Sequence, residues 1–224
     1  MDIRNIQDMR ELLLDLERRV KIVRSARIEA AKRYRSQDAY YKFITIFYSI
    51  VITTLSVRYA VNESIGILSV KTIFTNLPLT LLASSVFITL FTMYVSNKNY
   101  GEKVSKFQSN YMELTRLHLD IQRYIIEMKL NKTAFDRDKE KHDEFGDRYS
   151  ALLAQSENHD DIDYYKAIVR EGIDSTDSEN SKQKIDKAER YINKYNFNNN
   201  IRRKLALLSG VFMLMLIEGI KYFL

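Results

Sequence analysis

The chain has 224 residues, 46% of them hydrophobic and 29% charged, with six glycines, one proline and no cysteine. The missing thiols exclude a disulfide scaffold, a thiolate nucleophile and Cys-ligated metal. The net charge of +6, from 35 basic and 29 acidic residues, is too mild for a dedicated nucleic-acid binder, so no direct sequence-specific nucleic-acid binding is expected. Scarce glycine and proline point to long helices rather than strands and tight turns.

Residues 1–42 read as a basic amphipathic helix, expected on the cytosolic side. Ile6, Met9, Leu13, Leu16, Val20 and Val23 recur at three- and four-residue steps. Arg18, Arg19, Lys21, Arg24 and Arg27 crowd its later half. They are candidates for contact with lipid headgroups, against the plainer reading of a solvated face on a helix that packs on its neighbour.

Residues 43–97 read as a transmembrane hairpin. Phe43–Val57 holds 15 residues without a charge, and the apolar pattern continues to Val61 past Arg58, which can snorkel. Tyr40, Tyr41 and Tyr59 are placed for the two interfaces. Thr72–Asn97 holds 26 uncharged residues, with its centre at Leu77–Val95. A helix of that length reaches roughly 39 Å, more than the ~30 Å hydrocarbon core. Asn76 is the expected N-cap, and Pro78 falls in the first turn, where a missing N–H does no harm. Arg33, Arg35 and Lys42 precede the first span, and Lys98, Lys103 and Lys106 follow the second. The positive-inside rule therefore puts both long arms in the cytoplasm, with the inner (cell) membrane as the expected location.

Hydroxyls recur along one face of each span: Thr45, Ser49, Thr53 and Ser56 on the first, Ser85, Thr89, Thr92 and Ser96 on the second. They fit either hydroxyl-assisted helix packing or the lining of a pore built by several copies. A two-helix hairpin encloses no water path alone, so a pore demands a homo-oligomer.

Residues 98–171 read as a cytosolic helical region. Val104, Phe107, Tyr111, Leu114, Ile121, Ile125 and Met128 form a second stripe on a helix expected to continue the second span, and 132–148 is a densely charged helix or connector. Residues 172–184 read as a loop, 185–204 as a helix, and 205–224 as a third, C-terminal membrane helix. Arg202, Arg203 and Lys204 would lie at the inner surface, and Glu218 can pair with Lys221. The fold class is thus an all-α membrane protein: a two-span hairpin with long cytosolic helices and a third membrane helix.

Two His-Asp pairs, His142-Asp143 and His159-Asp160, suggest metal hydrolysis only if further ligands converge on them, and His118 alone is left to help. No phosphate loop, catalytic triad or zinc spacing is present. No enzyme activity and no cofactor are expected.

Tyr149-Ser-Ala-Leu152-Leu153, then Glu157-Asn158-His159, then Asp163-Tyr164 resembles the C-terminal signature of the SLATT family. These are two-span effector domains associated with SMODS and SLOG modules in prokaryotic conflict systems. The basic first helix with Ala30 and Arg33-Tyr34, the two close spans and Asn99-Tyr100 agree with it, over roughly residues 5–170. The C-terminal apolar helix departs from the two-span plan and would mark a subgroup. The resemblance implies a membrane effector that forms pores or disrupts the membrane when a partner sensor detects invasion. The implied partners are the lipid bilayer and a cytosolic sensor, nucleotide-signal synthase or reverse transcriptase. It carries over no catalytic residues. For Tyr149, Asn158, His159, Asp163 and Tyr164, the residues themselves suggest a capped turn in a buried polar network, or a ligand-sensing cluster. The competing function is a non-conducting membrane-anchored scaffold that recruits a cytosolic partner.

Overall fold

The structure is a computed structural model, and it describes residues 3–64, 77–131, 135–155, 157–172 and 178–220. Six helices follow one another: α1 (Ile3–Ser64), α2 (Leu77–Asn97), α3 (Tyr100–Asn131), α4 (Phe135–Ala154), α5 (Asp161–Glu171) and α6 (Ser178–Ile220). There is no strand among the described residues. Residues 72–76, with the expected cap Asn76, and 221–224, with Lys221, lie outside the described residues.

Three boundaries take a definite form. The amphipathic helix and the first span are one uninterrupted helix, α1, because neither glycine nor proline falls between residues 3 and 64. The second span and the helix after it are not continuous. The chain leaves the helix at Lys98 and Asn99, with Asn99 at φ 49°, the left-handed conformation that asparagine adopts more readily than most residues. Ser178–Lys184, expected in a loop, are helical as the start of α6, and residues 173–177 lie outside the described residues.

The chain divides into two compact units, one made by Met1–Arg35 and Gly101–Tyr195, the other by Ser36–Tyr100 and Asn196–Leu224. In the first unit the two sequence stripes meet. Leu13, Leu16 and Val20 of α1 pack with Leu114, Leu117, Ile121, Tyr124, Ile125 and Met128 of α3, and Phe145 of α4 joins them. Each such fully buried aliphatic side chain contributes roughly 1.5–3 kcal/mol. Further along α1, Ala30 and Ala31 pack against Phe107, with Tyr34 and Tyr111 alongside. Tyr124 donates a 2.7 Å hydrogen bond to buried Asp138, and burial first, then this bond, pushes the Tyr124 hydroxyl upward. Asn110 donates to the Leu152 carbonyl at 2.8 Å, which satisfies a carbonyl of the last turn of α4.

The second unit is built differently. Ile50 is 61% exposed, Leu82 62% and Leu90 61%, and Phe43, Ile46, Val57, Leu79, Val86 and Met93 are also exposed. Such continuous apolar surface has no place in water and fits a hydrocarbon solvent. Its inward faces are sparse: Ile44 and Tyr48 on α1, Thr80 and Ser84 on α2. The Tyr40 and Tyr48 hydroxyls donate to the backbone carbonyls of Arg203 and Leu207 on α6. Arg203 donates to the Ser36 hydroxyl at 2.9 Å and lies over the Tyr40 ring. Residue numbers rise together along both partners, so α6 runs beside α1 in the same direction.

Candidate functional site

In the first unit, the polar centre forms where α1, α3 and the start of α5 meet. Asp160 is the N-cap of α5, in extended conformation, and its N–H donates to the Asp163 carboxylate at 3.3 Å. This local device aims the Asp163 carboxylate, which is fully buried, away from solvent. Arg33 meets it with one edge of its guanidinium. Nε donates at 3.0 and 3.2 Å to Oδ1 and Oδ2, and Nη2 at 2.8 Å to Oδ2. Asp160 lies 2.8 Å from the same Nη2. Burial alone would lower the Arg33 pKa, but Asp163 and Asp160 outweigh it, so the guanidinium is held still more firmly charged.

Aromatic rings floor this centre. Arg33 lies 4.3 Å from the Tyr34 ring centroid, Tyr34 stacks on Phe107 at 5.6 Å, and Lys103 reaches the Tyr34 ring at 5.5 Å. Lys103 also pairs with Glu157 at 3.0 Å. His159 stacks on Tyr164 at 6.1 Å. Burial, then the charge of Arg27, pushes the His159 pKa down, so its imidazole is neutral at neutral pH. Burial pushes the Tyr195 hydroxyl up.

Of the motif residues, the fold brings His159, Asp163 and Tyr164 to this centre. Tyr149 instead packs with Leu152 on the hydrophobic core, and burial raises its hydroxyl pKa. Asn158 is exposed. The basic residues divide as well. Arg18 is exposed, and Arg19 is exposed beside Asp15 at 2.6 Å. Lys21 is tied to Glu171 at 3.4 Å, and Arg24 is half-buried. The expectation that Arg27 meets lipid headgroups is overturned, since it is fully buried. The periodicity held the signal: the apolar steps Leu13, Leu16, Val20 and Val23 arrive next at Arg27 and Ala30, so Arg27 stands on the core face of α1. Sequence reading also passed over Glu157, Phe107 and Tyr195 as members of the centre.

His142 and Asp143 touch each other at 3.2 Å on the outer face of α4. Among the described residues no three metal-ligating groups gather.

In the second unit, the hydroxyl stripes are largely satisfied by their own helices. Thr45, Ser49 and Ser56 donate to Tyr41, Thr45 and Ile52 carbonyls at 3.0, 2.8 and 2.8 Å. Ser85, Thr89 and Thr92 donate to Leu82, Ser85 and Ile88 at 2.7, 2.9 and 2.7 Å. Thr53, Thr89, Thr92 and Ser96 are exposed. The polar face of α2 that packs within the unit is another one, Thr80 and Ser84. Arg202 and Lys204 are exposed.

Helices with this exposed apolar surface, two of them long and apolar enough to cross a bilayer among the described residues, define an all-helical membrane protein with two candidate spans. The chain belongs to the SMODS and SLOG-associating 2TM effector domain family 5, whose sequence profile matches residues 9–217. That family is associated with conflict and defence systems. Comparison with curated proteins and with solved structures gave no match.

Proposed function

We propose that this protein is a membrane-embedded effector of a prokaryotic conflict system, which acts as an oligomeric pore or membrane disruptor when a partner sensor signals. One observation carries the reading. In the stripe Ser85, Thr89, Thr92 and Ser96 of α2, packing among the described residues leaves the last three exposed and Ser85 half-buried, while Thr80 and Ser84 are buried. Hydroxyls bonded to their own helix enter lipid at little cost, yet keep lone pairs for water. A ring of copies that turned these faces inward would line a path with oxygen atoms and no fixed charge, and so without strong charge selectivity.

The cytoplasm is the expected side of the N-terminus and the central helices, from the basic flanks of the two spans. A third span along Leu205–Leu224 is supported by the parallel run of α6 beside α1 from Arg203 to Leu207. The sensor would be a cytosolic protein encoded nearby, such as a nucleotide-signal synthase or a reverse transcriptase. The chain itself performs no catalysis in this reading.

Reconstitution in liposomes tests it, with a high protein-to-lipid ratio driving the assembly that the sensor's signal drives in the cell. Dye release should rise steeply with protein-to-lipid ratio, as assembly requires, and should fall in Thr53→Leu, Ser49→Leu and Thr89→Leu proteins that insert normally. Silence at every ratio, with inserted and cross-linkable protein, would overturn the pore and favour the recruiting scaffold.

A further inference from the structure

Arg27 and Arg33 sit six residues apart on α1 and are treated differently by the fold. Arg33 commits its Nε/Nη2 edge to both oxygens of Asp163. Arg27 is fully buried, and the same edge, Nε and Nη2, has no hydrogen-bond partner among the described residues. Its Nη1 donates to the Glu157 backbone carbonyl, and its guanidinium carbon lies 5.3 Å from the Phe107 ring centroid. The carboxylates of the polar centre are engaged elsewhere: Asp163 and Asp160 by Arg33, Glu157 by Lys103. Burial lowers the Arg27 pKa, but a guanidinium stays charged at any physiological pH. His159, whose pKa the Arg27 charge helps to lower, adds a buried nitrogen without a partner among the described residues, Nδ1.

A buried cation with an empty planar fork is destabilising, because the fork keeps its desolvation penalty and gains no counter-ion. The fork has a matching ligand class. Two parallel N–H groups fit two oxygens of a carboxylate or phosphate. Carboxylates of this unit already fill the neighbouring fork, so the vacant one is left for an oxyanion from outside. The segment that bonds Arg27 reaches solvent: Glu157, Asn158 and Asp160 are exposed, and the Glu157 carbonyl accepts from Arg27 Nη1. The geometry points to the Nε/Nη2 edge of Arg27, with His159 beside it and Phe107 as its wall, as a receptor for the phosphate group of a small soluble ligand. This assignment stands whether or not the spans form a pore.

The test uses the full chain in detergent micelles, with pyrophosphate and inorganic phosphate against chloride at equal ionic strength. Pyrophosphate should raise the unfolding midpoint in a saturable way. Arg27→Lys, which keeps the charge and loses the fork, should weaken the apparent affinity at least ten-fold, and His159→Gln should weaken it less. Because Arg27→Lys can fold poorly, wild-type hydrogen exchange is the second readout: pyrophosphate should slow exchange in residues 157–163. No saturable shift, a shift unchanged in a folded Arg27→Lys protein, or protection confined to Arg202–Lys204 would overturn the assignment. Stabilisation by phosphatidic acid vesicles alone, with pyrophosphate inert, would overturn it in favour of a lipid headgroup.

Discussion

Replacing Asp163 with Asn removes one charge and almost no volume, so it isolates the electrostatic role of the Arg33–Asp163 pair. Asp163 is 0% exposed and accepts three contacts from Arg33, at 3.0, 3.2 and 2.8 Å. Breaking a buried pair by removing one partner costs about 3–5 kcal/mol, since the other charge is left uncompensated. The lower end applies here. Asp160, with a side chain 58% exposed, stays 2.8 Å from Arg33, and the amide oxygen of Asn still accepts one bond. For a chain of this size, about 3 kcal/mol corresponds to a midpoint lower by about 6–12 °C. The assay is thermal unfolding of the detergent-solubilised chain by far-UV circular dichroism, as a double-mutant cycle with Arg33→Met. The two single variants should each be clearly destabilised, and the double variant by much less than their sum, with a coupling of about 2 kcal/mol. A loss under about 1 kcal/mol in Asp163→Asn, together with additive effects in the double variant, would show that the centre does not hold the first unit together.

Two further outcomes follow from burial. Burial is the main cause of depressed pKa values at both His118 and His159, with Arg24 and Arg27 respectively adding to it. A depressed native pKa means the unfolded chain binds more protons. The stability these neutral imidazoles contribute is present above the ordinary value of about 6.5 and is lost as pH falls through the native values. The unfolding midpoint should therefore drop between pH 7.5 and 5.5, and the drop should be shallower in His159→Phe, which keeps a ring against Tyr164; an identical slope would contradict the account. In the second unit, Val86→Arg sets a charge near the centre of α2 on an exposed apolar face, at a cost of about 2.5–3.5 kcal/mol for insertion. Carbonate should extract more of this variant from membranes, whereas Ser105→Arg at an exposed position of α3 should change nothing.

The spans were readable because transfer to lipid is a property of each side chain and of run length alone. Phe43–Val57 and Leu77–Val95 are apolar enough to favour lipid by themselves, wherever the remaining chain goes. The stripes of α1 and α3 were equally plain, since helical periodicity repeats within a few residues. In the sequence Arg27 is a candidate for headgroup contact or for a solvated face, because its neighbours Arg24 and Lys21 share its charge. The fold places it in the core, because the burial of a long side chain is decided by what lies across from it. Arg33 and Asp163 are 130 residues apart, and no local pattern pairs them.

The same division holds in the second unit. Sequence put hydroxyls on faces of both spans, but only packing decided that Thr80 and Ser84 turn inward while Thr89 and Thr92 stay open. Helix formation and membrane affinity are sums over neighbouring residues and are written in the chain. The choice of partner for each face, and the fate of each buried charge, depends on segments brought together from far apart in sequence.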